Sequence, residues 1–339
     1  MIITVTANPS IDRSLRLRAP LTRGEVQTVL PGADEAGGKG ANVAKALVAA
    51  GVATAAVVLA DDGDPYLDLL RATGTPFVAA PAGAAVRINL TITEPDGTTT
   101  KLNAPGEVPS DAVDGLRRAV LSAVADAADE PTTVVLSGSL PIGADADWYA
   151  RLLPELAALG ARVVVDTSGA PLAAVVDAAG TGSRVAAIKP NGDELSAVLR
   201  DTGIDADVRS GAELEADPRA AVAAVRRLMA ARAGIEAVLL TLGARGAILV
   251  TSAEDDVPGA WIAAAPPTVA VSTVGAGDSA LAGWIIAASA GAAHPDRLAT
   301  AVAYGSAAAA LPGSTPPTPD AVDPGRVAVT PWSSPTAPR

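Results

Sequence analysis

A chain of 339 residues can bury a large core, as one big α/β domain or as two smaller ones. With no cysteine, disulfides, zinc–thiolate centres and thiol nucleophiles are excluded, and a single histidine, His294, excludes multi-histidine metal sites and Ser-His-Asp chemistry. The net charge of −12 argues against nucleic acid or an anionic membrane as partner, so any anion site has to be local.

In chain order, Ile2–Ala7 reads as a buried first strand, not a signal peptide, because no basic region precedes it and the apolar run stops at Asn8; this predicts a cytoplasmic protein. Asn8-Pro9-Ser10-Ile11-Asp12 breaks that strand and sets a carboxylate at its C-terminal end, the side on which open α/β sheets bind ligands. Asp12 as a plain turn residue is the competing reading. Leu15–Leu30 alternates like an exposed ribbon. A glycine cluster, Gly37-Gly38-Lys39-Gly40, then runs into a helix through Asn42 and Leu47. Its spacing is not that of a Walker A loop. It is either an ordinary helix start or a place where a ligand lies on bare backbone, with Lys39 as a point charge and Asn42 as a neutral hydrogen-bonding group.

Thr54–Ala60 predicts a strand, Asp64–Ala72 a short helix, and Ala85–Thr93 with Thr98–Asn103 a hairpin about Pro95-Asp96-Gly97. Arg87 and Lys101 lie in that hairpin, which with the Leu15–Leu30 ribbon makes a small lid sheet, residues 13–30 and 85–104. From Ser110 onward helices and strands alternate: Ser110–Ala128, Asp145–Ala158, Leu172–Ala179 and Asn191–Leu199 as helices, Thr132–Ser137, Arg162–Asp166 and Arg184–Lys189 as strands. Strands this rich in Val and Ile predict a doubly wound, mostly parallel sheet flanked by helices. At the Lys189-Pro-Asn191-Gly-Asp-Glu194 junction, Lys189 suits a nucleotide phosphate, and Asn191 with Glu194 suits the water shell of Mg²⁺; a capping box is the alternative. Ile235–Thr241, a Leu242-Gly243-Ala244-Arg245-Gly246 turn and Ala247–Thr251 read as strand, turn and strand. Ser252–Pro258 reads as a surface insertion. Residues 1–312 are expected to make one domain, and 313–339 a mobile Pro/Ser/Thr-rich tail with one docked segment.

The stretch Val271–Gly283 organises the rest. A β-like run ends at Thr273 and Val274, Gly275-Ala276-Gly277 makes a turn, and Asp278 opens a small-residue helix. Such a turn offers free N–H groups and a positive dipole end to an anion. Three readings compete. One is a plain strand-to-helix turn with Asp278 as an N-terminal charge. Another is a dinucleotide fingerprint, Gly275-x-Gly277-x-x-Ala280, whose required second strand is missing before the next alanine-rich helix near Asp296. The third is phosphoryl transfer, with Asp278 taking the proton of an attacking hydroxyl while the Gly275, Ala276 and Gly277 amides hold the developing charge. No apolar stretch reaches the ~20 residues that span a bilayer.

The ordered set Asn8-Pro-Ser-Ile-Asp12, Gly37-Gly-Lys-Gly-Ala-Asn42, Arg87-Ile-Asn89, Ser137-Gly-Ser-Leu-Pro141, Lys189-Pro-Asn-x-x-Glu194, Thr241-Leu-Gly-Ala-Arg-Gly246 and Ser272-Thr-Val-Gly-Ala-Gly-Asp278 resembles the PfkB (ribokinase-like) carbohydrate kinases over about residues 2 to 312. Lys39 and the Ser272–Ser279 run look most like its 1-phosphofructokinase and tagatose-6-phosphate kinase branch. The resemblance implies ATP- and Mg²⁺-dependent phosphorylation of a sugar hydroxyl. Asp278 would be the base and Gly275 to Gly277 the anion hole. Asp12, Gly38, Lys39, Asn42, Arg87 and Asn103 would surround a sugar phosphate. Lys189, Asn191, Thr241, Leu242, Gly243, Ala244, Arg245, Gly246 and Gly277 would meet the nucleotide, and Glu194 the metal. Lys101-Leu-Asn-Ala-Pro-Gly106 departs from the aromatic or acidic segment frequent in the family. The lid sheet is the expected homodimer surface. A non-catalytic sugar-phosphate sensor on the same scaffold is the alternative from another class.

Overall fold

The computed structural model describes residues 1–127, 130–252 and 259–332; the surface insertion read over Ser252–Pro258 lies outside them except for Ser252, as do the last seven residues of the tail. In chain order the strands are β1 (Ile2–Thr6), β2 (Ser10–Leu17), β3 (Val29–Gly37), β4 (Thr54–Leu59), β5 (Phe77–Ala80), β6 (Arg87–Thr93), β7 (Thr99–Asn103), β8 (Thr133–Ser137), β9 (Arg162–Asp166), β10 (Ala187–Ile188), β11 (Ala237–Thr241), β12 (Gly246–Thr251), β13 (Ala260–Ala264) and β14 (Val329–Pro331). The helices are α1 (Lys39–Ala49), α2 (Pro65–Ala72), α3 (Ser110–Asp126), α4 (Trp148–Ala158), α5 (Gly169–Gly180), α6 (Gly192–Asp201), α7 (Gly211–Ala216), α8 (Pro218–Ala231), α9 (Ala276–Ser289) and α10 (His294–Ala309).

Ten strands form one sheet in the order β14-β13-β12-β11-β10-β9-β8-β1-β4-β5. It is parallel from β5 to β11 and antiparallel beyond. Parallel strands are buried on both faces, and the period of two sorts their side chains. Ile3, Val5, Val134, Leu136, Val163 and Val165 pack under α3 to α8, whereas Ile2, Val135 and Val164 pack under α1, α9 and α10. The chain winds from β1 towards β4 and β5 on one side and β8 to β11 on the other. That places a topological switch point between β1 and β8, and the crevice for ligands opens beyond the C-terminal ends of those strands.

The lid is a four-stranded sheet in the order β3-β2-β6-β7. It is larger than expected: β2 begins at Ser10 and β3 runs on to Gly37, so Asp12 lies within a lid strand and the lid feeds straight into α1. Residues 31–37 carry two glycines and four polar or small side chains, and only pairing with β2 makes them a strand. A shift in register between Ser14 and Arg16 accompanies this pairing.

Other expectations need correction. Ala265–Val274 is loop, not strand; it is held by the Val271 and Ser272 N–H groups on the Ala309 carbonyl at the end of α10 (2.8 and 3.2 Å). The Arg184–Lys189 run contributes only the two residues of β10. The described part of the expected tail is held at several points, not one: Ser314 and Val327 are buried, and β14 pairs with β13, while 318–321 are exposed. His294 begins α10 half-buried, its ring 5.4 Å from that of Trp261. No described helix is long and apolar enough to cross a membrane.

Candidate active site

Gly275 sits at φ +73°, a left-handed conformation costly to residues with a Cβ, and is the N-cap of α9. The first-turn N–H groups of α9 have no intrahelical acceptor and carry the positive end of its dipole. Asp278 follows in that turn, 7% exposed. Its Oδ2 accepts from Asn42 Nδ2 of α1 at 2.9 Å. Burial raises the Asp278 carboxyl above the ordinary carboxylate range and the charge of Asp166 pushes the same way, against Lys39, Asn42 and Lys189. A raised carboxylate beside unsatisfied amides is what a general base at an anion site requires.

α1 starts at the exit of β3, with Gly38 as its N-cap. Lys39 in its first turn donates to Asp166 Oδ1 at 2.9 Å and lies 3.9 Å from Glu194. Lys189, at the end of β10, lies 3.2 Å from Asp166 Oδ2, and its Nζ is 3.5 Å from where a Cβ on Gly277 would stand. Two ammonium groups thus share one fully buried carboxylate beside the Gly275–Gly277 loop. Burial alone would raise Asp166, but the adjoining Lys189 and Lys39 prevail and hold it below the usual range. Burial opposes the charge on Lys39, and Asp166 and Glu194 outweigh it, so that its ammonium is held protonated.

Asp166, the carboxylate that joins the two lysines, is not singled out by the sequence analysis. The signal that marks it is a carboxylate at the C-terminal end of a parallel strand, the side on which such sheets bind ligands.

On the lid, Asp12 Oδ1 accepts from Ser10 Oγ (2.8 Å) and Asn89 Nδ2 (3.1 Å). Gly37 lies opposite, where any Cβ would stand 2.2 Å from the Asp12 carboxylate. Register brings Glu35, Asp12, Asn89 and Asn103 into one row across the four strands, with Ser14, Thr91 and Lys101 in the next and Arg16 with Thr93 beyond. This polar face walls a cleft of about 1020 Å³, closed on the other side by Ala270–Val274 and Pro312–Ser314. Arg16 and Lys101 are the cations that line it. Arg87 is not among its lining residues. Its guanidinium instead spans the carbonyls of Asn8 (3.2 Å), Pro9 (3.3 Å) and Ala104 (2.9 Å), pinning the base of the lid, because a half-buried guanidinium satisfies its donors on the nearest backbone acceptors.

On the other side of the Gly275–Gly277 loop, Asn191 and Glu194 form a capping box at the start of α6, with 2.9 Å bonds in both directions. The Asn191 side-chain oxygen is spent on that cap, and one oxygen of Glu194 remains facing Lys39. Thr241 pairs with Asn191, its N–H on the Pro190 carbonyl at 3.0 Å, and Gly243–Arg245 makes an exposed helical turn beside it. Leu242 is 3% exposed and belongs to the core, leaving only its backbone to the turn. The strand ends therefore present a polar cleft under the lid, a carboxylate with an amide-rich loop and two lysines at the centre, and an open glycine-bearing shelf beyond. This layout suits a phosphotransferase, with space on either side of the amide-rich loop.

The match to the model of the pfkB family carbohydrate kinases extends over residues 5–321. The chain is 35% identical over 325 residues to a 1-phosphofructokinase of Rhodobacter capsulatus, covering 93% of each chain. It superposes on phosphofructokinase-2 from Escherichia coli in complex with substrates and products with a TM-score of 0.79 at 25% identity, over 94% of this chain and 96% of that one. The tetrameric inhibited form of the same enzyme gives 0.76 at 27%, over 91% and 93%. The chain belongs to the pfkB family of carbohydrate kinases, and it is a sugar-phosphate kinase.

Proposed function

We propose that the enzyme transfers the γ-phosphoryl group of ATP to the free primary hydroxyl of fructose 1-phosphate, giving fructose 1,6-bisphosphate. The observation that carries the phosphoryl-transfer reading is Asp278, buried, raised and held by Asn42, in the first turn of a helix whose opening amides have no intrahelical acceptor and which lies close to Lys189. The acceptor hydroxyl oxygen bonds to the γ-phosphorus, the bond to the β–γ bridging oxygen breaks, and the hydroxyl proton passes to Asp278. Charge on the moving group is met by the Gly275–Gly277 amides and the two ammonium groups, so positioning and electrostatics supply most of the rate.

The fructose 1-phosphate assignment is supported by the curated relative and by the cleft itself. Its inner row offers Asp12, Asn89 and Asn103 to sugar hydroxyls, and its outer rows offer Arg16 and Lys101 to a phosphate. Thr241 and the backbone of Leu242–Gly246 make the nucleotide shelf. The Glu194 oxygen that faces Lys39 would be the protein group nearest to hand for a Mg²⁺, which would screen the charge of the phosphates. A homodimer through the lid is supported by the lid's other face, on which Ile88 and Leu102 are 37% and 53% exposed beside Leu90 and Ile92. Retention of Asp278, with Lys39 and Lys189 gathered on the neighbouring Asp166, favours catalysis over a sugar-phosphate sensor.

A coupled assay of ADP release over fructose 1-phosphate, fructose 6-phosphate, tagatose 6-phosphate, ribose and adenosine tests the reading. The expected result is the highest kcat/KM for fructose 1-phosphate. A preference for tagatose 6-phosphate or fructose 6-phosphate would reassign the substrate within the class, and ligand binding without turnover would return the protein to a sensor.

A further inference from the structure

Three polar side chains recur along one stripe of α1 at spacings of three: Lys39, Asn42 and Lys45. The first two touch Asp166 and Asp278. Lys45 is only 6% exposed, and its ammonium donates to two neutral acceptors, the Ala36 carbonyl at 2.8 Å and Ser314 Oγ at 3.2 Å. A cation placed so deep is costly to folding, and burial prevails in lowering its pKa although the nearby carboxylates of Glu35, Asp12 and Asp278 oppose it. A cost of this kind points to a use.

Both acceptors lead to the site. Ala36 is the penultimate residue of lid strand β3, next but one to Gly38 and the start of α1. Ser314 follows the turn after α10, and both its N–H and its Oγ donate to Glu35 Oε2 of β3 (3.1 and 2.9 Å). Gly313 is left-handed at φ +61°, and a Cβ there would stand 2.7 Å from the Glu35 carboxylate, so the backbone is brought tightly onto the lid strand. On its other side Ser314 lies against the anion loop, 3.6 Å from where a Cβ on Gly275 would be. Glu35, Ser314 and Val274 all line the sugar cleft.

We propose that Lys45 is a positioning residue for phosphoryl transfer. It ties lid strand β3 and the Gly275 end of the anion loop to α1 through Ser314 and Glu35, so that the sugar-holding wall and the amides meeting the phosphoryl group are set by one buried ammonium. The inference rests on the kinase reading above, and it predicts that loss of the tie lowers turnover more than binding. Displacing reacting groups by about 1 Å costs on the order of 100-fold in rate.

The test is steady-state kinetics of Lys45→Ala, Ser314→Ala and the double variant in the full-length enzyme, each alongside a thermal melt. Lys45→Ala should lose about 100-fold in kcat with KM for sugar phosphate and ATP within about threefold, and methylammonium added to fill the vacated space should restore at least tenfold of it. Ser314→Ala should lose kcat in the same sense at temperatures where it is fully folded, whatever small fall its melting temperature shows, and the double variant should lose no more than Lys45→Ala, since the two act through one tie. If Lys45→Ala does not fold, Ser314→Ala decides alone. Wild-type kcat in Ser314→Ala, additive losses, or a Lys45→Ala defect that follows only its melting temperature and ignores methylammonium would overturn the proposal. A wild-type enzyme that turns over no sugar phosphate would instead refute the kinase reading, since the proposal is measured only as a ratio to wild type.

Discussion

Asn42 and Asp278, 236 residues apart in the chain, meet at 2.9 Å where α1 and α9 converge under the lid. The amide donates to Oδ2 and so orients the carboxylate proposed as the base, without neutralising it. Replacing Asp278 with Asn keeps the shape and removes the basicity. The expected outcome is a fall in kcat of about 10²–10⁴-fold with KM values near wild type, measured by ADP release. Turnover within a few-fold of wild type would dismiss Asp278 as the base.

The same burial predicts a pH signature. Asp278 is raised from the ordinary value of 3.8. Activity must then fall on the acid side at a pH above the usual carboxylate range, and a kcat/KM profile flat down to that range would contradict the assignment. For stability the sign runs the other way from a paired carboxylate. A raised folded pKa means that the folded state favours the proton, so the contribution is fully present below the unfolded value and is lost as pH rises through the folded one. Asp278→Asn should therefore melt higher than wild type at neutral pH, with the gain shrinking under acid conditions.

Asp166 predicts the opposite. Its folded pKa is depressed by Lys189 and Lys39 against the cost of burial, so its stabilisation is present above 3.8 and lost as pH falls through the lower folded value. Asp166→Asn leaves Lys189, 5% exposed, without its charge partner. Chemical denaturation at neutral pH should show a loss of about 3–5 kcal/mol, narrowing below the ordinary value. A variant as stable as wild type at neutral pH would mean that the lysines are satisfied elsewhere.

The outer rows of the lid predict a division of labour. Arg16→Ala and Lys101→Ala should each raise KM for the phosphorylated sugar by about tenfold, equivalent to about 1.4 kcal/mol, with kcat and KM for ATP nearly unchanged. The effect should weaken at high salt, because both side chains are reached by solvent. An equal rise in KM for an unphosphorylated sugar would argue that they shape the cleft instead of reading the phosphate.

The apolar lid face predicts association. Ile88→Glu with Leu102→Glu places charge where two copies would meet, and sedimentation should show a lighter particle than wild type. An unchanged mass, or a wild type that is already monomeric, would remove the lid from the interface.

Much of this protein is written locally. The alternation of helix and strand from Ser110, the apolar runs of β1, β8 and β9, the Asn191–Glu194 cap and the Gly275–Asp278 turn depend on residues a few positions apart, so period and turn chemistry expose them. Elements whose pattern is weak escaped: four-residue β5 at the sheet edge, β13, and α7 with α8 after an irregular stretch. β3 escaped because only the β2 register makes its polar sequence a strand.

What the order of residues determined by itself was the inventory of chemistry: a glycine turn before Asp278, Lys39 and Asn42 at a helix start, Lys189 at a strand end, and no cysteine or second histidine to offer a rival mechanism. Only the folded chain decided which charges answer one another. Lys39 and Asp166 are 127 residues apart, and Glu35 and Ser314 279. Arg87, a cation in the sequence, spends its donors on carbonyls at the foot of the lid, while Lys45, unremarkable in a helix, becomes a buried ammonium beside the anion loop. The reason is that the strength and cost of a charge depend on burial and on neighbours within a few ångströms. Both are properties of contacts between distant segments.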